Sequence, residues 1–506
     1  MSGTQGSLQR VLASTACLGL SVVTLTVLAD VLFYRQPSGW PLGAFVLLAG
    51  LVLYARPGPP ARRGAMRLAL LVLALAAGAA VYRGGALAPL LAVLGLAALA
   101  AARARAVSLH AADWLAATAQ APLRMLSAHF RDRRLLKRRR GAARRAAAAV
   151  PRTLAAWAVP VLLAGVFLVL FCLANPVIEC GVERTLTALV DFLDWLRLPE
   201  FPRVIFWIVV AAALWGLWRA RGSEPRPGGP PPVPADAHPP APAPSLALRC
   251  LAIFNLLFAV ETVADLLYLW GGRALPAGMT YASYAHRGAY PLLTTALLSA
   301  GLTLAFFRPG RPAERHPAAR ALVFAWLAQN VLLTFSAAWR LHLYVDVYSL
   351  TRLRVAAFVW MGLVGFGLLA IAWRIARRRE NRRLLDVNAA ALLAVLLACA
   401  WWPMDGFIAR HNVRFCREAG GPGQPLDLRY LEDLGAEALP ALRACARLGG
   451  ANAAAAAAAA DRLADALHAG LRNPRAWTWR RGALARAVAD DTTRTPAAWR
   501  EPGGPR

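Results

Sequence analysis

The feature that most constrains this chain is a series of apolar runs, each roughly 16–24 residues long and almost free of charged side chains. An α-helix needs about 20 such residues to cross the roughly 30 Å hydrocarbon core of a bilayer. Only helices and closed barrels satisfy every backbone polar group in lipid, and barrel strands would alternate polar with apolar residues. These runs do not alternate. They predict an all-α fold, a polytopic membrane helical bundle with a small C-terminal helical domain.

The runs predict about eleven transmembrane helices in two halves, separated by a Pro-rich stretch. In the N-terminal half, residues 1–220, they cover 11–32, 41–55, 66–82, 86–102, 153–174 and 203–219. In the C-terminal half, residues 247–402, they cover 247–270, 288–307, 320–343, 354–374 and 387–402. The second and fourth are short. Residues 221–246 form the linker, and residues 403–506 form a tail.

Charge distribution sets the expected orientation. The formal net charge is +30, which suggests nucleic-acid binding, but the basic residues lie mainly in alternate loops between the spans. That pattern favours a multi-pass protein of a bacterial inner membrane, and we expect no nucleic-acid partner. It places the N-terminus, the arginine-rich segment 103–152 and the linker in the cytoplasm, and the tail outside it. We expect segment 103–152 to lie against anionic lipid headgroups.

The tail predicts short helices. Five leucines between residues 428 and 442 have helical spacing, namely Leu428, Leu431, Leu434, Leu439 and Leu442. Gly449 and Gly450 break the pattern, and an alanine-rich run with high helix propensity follows. Cys416 and Cys445 flank the leucine-rich segment. Because disulfides persist in an oxidising compartment, these two cysteines are a disulfide candidate, with two unpaired thiols as the alternative.

Common catalytic and cofactor motifs are absent from the sequence. It has no Gly-rich phosphate loop, no H-E-x-x-H zinc motif and no G-x-S-x-G elbow, and its seven cysteines form no C-x-x-C pair. We therefore expect no cofactor and no metal site. The missing motifs make ATP-driven transport and the common hydrolase mechanisms less favoured as functions of this chain.

Polar residues inside or beside the spans form one candidate cluster. Glu261 and Asp265 share a helix face, and Arg340 ends a later span at the same predicted depth. Residues at intervals of four after Arg340 would share one stripe if the helix continued. The candidate site residues are Glu261, Asp265, Arg340, Tyr284, His286, Arg287, Tyr344, Asp346, Tyr348 and Arg352. The cluster is either a functional pocket or an architectural ion pair within an aromatic belt.

Several long segments resemble a known family. They are DLLYLWGGRALPAGMTYASYAHRGAYPLL, RLHLYVDVYSLTRLRVAAFVWM, and the tail segments MDGFIARHNV and LDLRYLEDLGAEALPAL. The C-terminal half resembles uncharacterised bacterial inner-membrane proteins that contain domain of unknown function 4173, with a related 4153-like group for the N-terminal half. The resemblance implies a multi-pass membrane protein without a known activity.

Three functions fit these features. The first is a non-enzymatic membrane scaffold or sensor whose tail binds an unidentified protein partner or senses a signal. The second is a proton-coupled or passive transporter that uses the carboxylates of Glu261 and Asp265, because intramembrane acids can carry protons. The third is a membrane-embedded enzyme that acts on envelope lipids at the interface, with His286 or His342 taking part. The sequence favours them in that order.

Overall fold

The computed structural model describes residues 2–37, 39–55, 62–104, 107–117, 181–185, 187, 200–219, 244–270, 294–304, 307, 316–421, 423–450 and 452–494. Every regular element within those ranges is helical, so the predicted all-α bundle is confirmed. The predicted span 153–174, most of the basic segment 103–152 and most of the Pro-rich linker lie outside the described residues.

The apolar helices precede the tail in the chain. Their bounds are α1 Ser2–Phe33, α2 Trp40–Ala55, α3 Arg63–Tyr82, α4 Leu87–Arg103, α5 Phe201–Arg219, α6 Pro244–Ala264 with a π-helical turn Asp265–Trp270, α7 Thr294–Leu304, α8 Pro317–Tyr348, α9 Arg352–Ala376 and α10 Asn381–Trp401. Six of them, α3, α5, α6, α8, α9 and α10, are long and apolar enough to cross a membrane. Shorter apolar helices occur within α1, α2, α4 and α7. The described residues therefore support a membrane protein without confirming eleven spans.

The tail folds into a small helical domain. Its elements are α11 Met404–Phe415, a 3-10 turn Arg417–Ala419, α12 Leu428–Asp433, a 3-10 turn Gly435–Ala438, α13 Leu439–Leu448, α14 Ala453–Leu471, a 3-10 turn Pro474–Ala476 and α15 Trp479–Arg494. The leucine-rich segment is interrupted near Gly435, whose φ of 73° is left-handed. Gly449 and Gly450 also have positive φ and end α13 as predicted.

Two compact units make up the chain. The first unit comprises residues 1–35 and 119–221, and within it α1 packs against α5. There the Arg203 guanidinium donates to Asp30 at 2.9 Å and 2.5 Å, so the buried carboxylate has a charged partner. The second unit comprises residues 36–118 and 222–506. This grouping differs from the two halves on either side of the Pro-rich linker, which stay a prediction.

Within the second unit, two groups of apolar helices meet at α10. Helix α3 packs against α2, α4 and α10, with Ala76, Ala79 and Ala400 buried at the contact. Helix α8 packs against α6 and α9, around a core that includes Trp326 and Leu368. Small residues allow close approach between the helices of the first group, while large side chains fill the second. Helix α10 contacts α9 as well as α3, so it joins the two groups.

The core of the tail domain includes residues from the membrane helices. Ile408, Leu431 and Leu442 are fully buried there, as the leucine spacing predicted for the last two. Val345 from the end of α8 and Leu350 from the α8–α9 loop are buried in the same cluster. The tail therefore folds around the end of a membrane helix and is not an independent appendage.

The loop before α2 also binds the tail. Trp40 donates its backbone N–H to the carbonyl of Trp477 at 2.9 Å and its indole N–H to the carbonyl of Pro474 at 2.9 Å. A Cβ on Gly39 would lie 2.3 Å from the Arg475 carbonyl oxygen and 2.7 Å from that of Trp477. Both are backbone atoms that a side-chain rotation cannot move, so this contact requires glycine.

We predict that Gly39→Ala separates this loop from the tail and destabilises the protein by about 1–3 kcal/mol, the usual cost of overpacking. Hydrogen exchange at residues 473–478 should accelerate, and the melting temperature in detergent should fall. Gly362→Ala is the matched control, because a Cβ there meets nothing within 4 Å. Equal melting temperatures for the two variants would contradict the assignment.

Candidate functional site

The polar cluster begins where α6 changes from an α-helix to a π-helix. Asp265 is the first residue of the π-helical turn Asp265–Trp270, and Glu261 lies one turn before it in α6. Isolated π-helical turns in α-helices occur frequently at functional sites, because the added residue redirects the side chains around it. The turn therefore marks this end of α6 as a candidate site independently of its charges.

Two acidic side chains of α6 meet one arginine of α8. Arg340 Nη2 donates to Asp265 Oδ1 in a short contact and to Glu261 Oε1 at 3.4 Å. The Arg340 and Asp265 side chains are 3% and 2% exposed, whereas the Glu261 side chain is 44% exposed. We call these three residues the ion triad. The structure thus brings together three of the predicted site residues, with Asp265 buried and Glu261 accessible.

Aromatic rings form a second contact between the π-helical turn and α8. The Trp270 ring stacks on Phe335 at 5.5 Å and on Trp339 at 5.7 Å, and its indole N–H donates to Ser336 Oγ at 3.4 Å. Because the Asp265 and Arg340 side chains are only 2% and 3% exposed, removal of either charge alone is costly.

Helix α8 continues from the ion triad into the tail. Its 32 residues span about 48 Å, which exceeds a roughly 30 Å hydrocarbon core by about 18 Å. Beyond its end, the Asn412 side chain accepts from the Leu350 backbone N–H at 2.7 Å and donates to the Leu350 carbonyl at 2.9 Å. The N–H of Gln424 donates to the Val347 carbonyl at 3.2 Å. One rigid helix therefore joins the buried charges to the tail core.

The predicted stripe after Arg340 ends before Arg352. Helix α8 stops at Tyr348, and Ser349 has a φ of 66°, so the chain turns before α9. Tyr344 and Tyr348 do share a face, with ring centroids 4.6 Å apart, and the Arg354 guanidinium lies 4.6 Å from the Tyr344 ring. Arg352 lies elsewhere and binds Asp405. The prediction that Arg352 shares the helical stripe of Arg340 was therefore wrong.

Asp346 belongs to a separate group with two histidines. Its carboxylate lies 3.8 Å from His342 Nε2 on the same helix. The His411 ring, on α11, lies between Phe407 and Phe415 with both rings tilted against it. Burial lowers the pKa of His411, and the hydrogen bond with Asn412 and the Asp346 charge oppose this effect. In the described part of the chain, no group of three or more His, Cys, Asp or Glu residues is arranged to hold a metal ion.

A network that the sequence analysis missed fixes the tail to three membrane helices. Arg83, at the end of α3, donates to Asp405 at 2.9 Å, to Glu437 at 3.3 Å and to the Trp402 carbonyl at 2.7 Å. Arg352, at the start of α9, donates to the other oxygen of Asp405 at 2.6 Å. Arg480 lies 3.8 Å from Glu437. We call these five residues, Arg83, Arg352, Asp405, Glu437 and Arg480, the Arg83 network.

The Arg83 network could not be predicted because its residues lie far apart in the sequence. Arg83 is separated from Asp405 by 322 positions and from Glu437 by 354. A weak signal existed, because Asp405 and Glu437 lie in the two tail segments that carry the family resemblance. The network joins the end of α3, the start of α9 and the residue after α10, and these points meet only if neighbouring helices alternate in direction.

A second missed cluster lies at the start of α10. His110 Nδ1 and Asp386 Oδ2 are 2.9 Å apart, and the Ala111 N–H donates to Asp386 Oδ1 at 2.7 Å. Asp113 accepts from the Ser108 hydroxyl and lies 3.7 Å from Arg382. These contacts hold the start of the basic segment against α10. Tyr284, His286 and Arg287 of the predicted cluster lie outside the described residues.

Comparison with known proteins assigns the chain to a family. The family model for domain of unknown function DUF4153 matches residues 65–445, which is most of the chain. The chain belongs to the DUF4153 family. The match covers the Arg83 network except Arg480, together with the whole ion triad. No curated protein and no solved structure matches this DUF4153 protein.

We predict that Asp265→Asn destabilises this DUF4153 protein by about 3 kcal/mol, because Arg340 would lose its buried carboxylate partner. Glu261→Gln should cost less than Asp265→Asn, because its contact with Arg340 is longer, at 3.4 Å, and its side chain is less buried. Thermal unfolding in detergent micelles would measure both variants. The double variant Asp265→Leu with Arg340→Met should recover much of the loss. Equal effects of the two single variants would refute the burial argument.

Cys416 and Cys445 are both buried in the tail core, and the structure shows no bond between them. Burial raises the pKa of each, and for Cys445 the nearby Cys416 raises it further, so little reactive thiolate forms at neutral pH. The disulfide between them stays a prediction. In an oxidising compartment, a loop of about thirty residues would stabilise the tail by roughly 3–4 kcal/mol.

Non-reducing mass spectrometry of the full-length protein checks this prediction. We expect a peptide that contains both cysteines, and we expect Cys445→Ala to leave Cys416 alkylatable after unfolding. Two alkylatable thiols in the native sequence would rule out the crosslink.

Proposed function

We propose that this DUF4153 protein is a non-enzymatic scaffold or sensor of a bacterial inner membrane, with its tail as the partner-binding or sensing element. The observation that supports this proposal is that α8 runs without a break from the ion triad to the tail core. The same helix holds Arg340 in the ion triad and Val345 in the tail core. A displacement of α8 at its buried charges would therefore move the tail.

The proposal includes an orientation. The N-terminus and the basic segment 103–152 lie in the cytoplasm, where the segment meets anionic headgroups, and the tail lies outside the cytoplasm. The arginine asymmetry of the sequence supports this arrangement. The partner of the tail is a protein and not a nucleic acid, and the C-terminal half is related to the 4173 group. The meeting of three helix ends at the Arg83 network is compatible with alternating spans.

Hydrogen exchange of the full-length protein in lipid nanodiscs tests the coupling. We expect Arg340→Gln to accelerate exchange at residues 408–416 of the tail, because α8 loses its fixed position. Arg374→Gln is the matched control: Arg374 is also fully buried and donates to the Phe307 carbonyl at 2.6 Å, but it lies on α9. The proposal fails if both variants change the tail equally or if neither does.

One observation favours a proton-coupled carrier as the second candidate. Glu261 contacts buried Arg340 while 44% of its side chain lies outside the protein packing, so its carboxylate is a candidate proton carrier within the ion triad. Proteoliposomes that contain a pH-sensitive dye would distinguish the functions. A carrier would acidify the lumen under a proton gradient and lose this activity in Glu261→Gln. A scaffold or sensor would match empty liposomes.

A further inference from the structure

Four exposed tryptophans lie where the tail meets the ends of the apolar helices. Trp40, Trp401, Trp477 and Trp479 are 41%, 37%, 38% and 48% exposed. The Tyr82 ring links two of them, because it stacks on Trp401 at 5.4 Å and on Trp479 at 5.3 Å. The hydrogen bonds from Trp40 to the carbonyls of Trp477 and Pro474 link the other pair. Large exposed aromatic surfaces of this kind mark contact with an apolar partner.

The contacts fix the depth of this patch. Trp40 begins α2, Tyr82 ends α3 and Trp401 ends α10, and all three helices are apolar. Where an apolar helix ends, hydrocarbon gives way to headgroups, and tryptophan is enriched at this level because its ring is apolar and its N–H is polar. The tail segment that contacts Trp40 and Tyr82 therefore lies at the headgroup level.

The same tail segment is strongly basic. Residues 472–486 contain five arginines and no acidic residue: Arg472, Arg475, Arg480, Arg481 and Arg486. Two of them serve the fold, since Arg480 approaches Glu437 and Arg481 donates to the Ala476 carbonyl at 2.9 Å. Arg472 is exposed, and Arg475 is partly exposed. A basic surface beside interfacial tryptophans is the chemistry that recognises anionic lipid.

We propose that residues 472–481, which we call the tail foot, bind anionic phospholipid headgroups in the leaflet that faces the tail. Trp477 and Trp479 enter the interface, and Arg472 and Arg475 bind the headgroup phosphates. The foot is held in position by the hydrogen bonds to Trp40 and by a bond from the Asn473 amide to Gln36 Oε1 at 3.0 Å. Because the site is ordered before it meets lipid, little conformational entropy is lost on binding.

This surface is separate from the basic segment 103–152 in both sequence and chemistry. The basic segment is predicted from arginine alone, whereas the foot combines arginine with exposed tryptophan. The foot also contacts the start of α2 and the end of α3, which lie beside the tail, so its lipids belong to the leaflet on that side. The proposal holds whether the protein is a sensor or a carrier.

Hydrogen exchange of the full-length protein in nanodiscs of defined lipid composition tests the foot. We expect amides 472–482 to become protected as phosphatidylglycerol replaces phosphatidylcholine. The variant Arg472→Gln with Arg475→Gln should lose about 25-fold of the protection gained in phosphatidylglycerol, since each basic residue near an anionic surface is worth about fivefold and the two factors multiply. Arg447→Gln with Arg462→Gln is the matched control, because both are exposed arginines of the tail outside the foot. Its protection should equal that of the native sequence.

Several outcomes would overturn the proposal. Equal protection in pure phosphatidylcholine would exclude charge recognition, and equal behaviour of the two double variants would exclude these arginines. Protection by inorganic phosphate in phosphatidylcholine nanodiscs would identify a phosphate site in place of a lipid surface. Protection only after addition of another protein would make the patch a protein interface. Melting temperatures of both double variants should match the native value, so that a change in exchange reports binding and not unfolding.

Discussion

The cost of a charge in hydrocarbon governs how the second unit is assembled. Insertion scales put that cost at about 2.5–3.5 kcal/mol for a residue at the middle of a span, so a charged residue there persists only beside a suitable partner. Arg340 binds Asp265 through a nitrogen–oxygen contact, which fixes α6 against α8 in both depth and rotation. Since α8 continues into the tail core, the position of the tail depends on the same pair.

The attachment of the tail follows a different principle. The Arg83, Asp405 and Glu437 side chains are 16%, 17% and 13% exposed, so these charges are largely removed from water and each depends on its partners. Their effect comes from sharing: Asp405 binds two arginines through different oxygens, and Arg83 reaches two acids and a carbonyl. Shared partners restrict the orientation of the tail more than they add to its stability. Apolar burial around Ile408 and Leu442 stabilises the tail domain, and the network sets its direction relative to the helices.

Much of the fold could be predicted because bilayer thickness imposes a length on each helix. The predicted spans 41–55 and 66–82 closely match α2 and α3, and the leucine spacing identified the buried face of the tail. Hydropathy did not give the end of α8, because it detects the edge of the lipid and not the end of a helix. The predicted span ends at residue 343, whereas the helix runs to Tyr348. Periodicity failed at Arg352, because a single left-handed residue, Ser349, redirected the chain.

Only part of the candidate site could be predicted from the sequence, and the reason is physical. Glu261 and Asp265 are one turn apart and charged within an apolar span, so their position alone identifies them. Arg83 and Asp405 are ordinary interfacial residues, and their pairing follows from how distant helices pack.

The tail rests on two kinds of support. One is α8, which carries Arg340 of the ion triad, and the other is the foot, for which we propose a position at the lipid headgroups. A rigid domain held at both points responds to a change at either, because a shift of α8 must be accommodated at the Trp40–Trp477 contact. Gly39 lies directly against the tail backbone at that contact, since an added Cβ would be 2.3 Å from the Arg475 carbonyl oxygen. In the function proposed here, the tail couples the buried charges to the membrane surface through these two contacts.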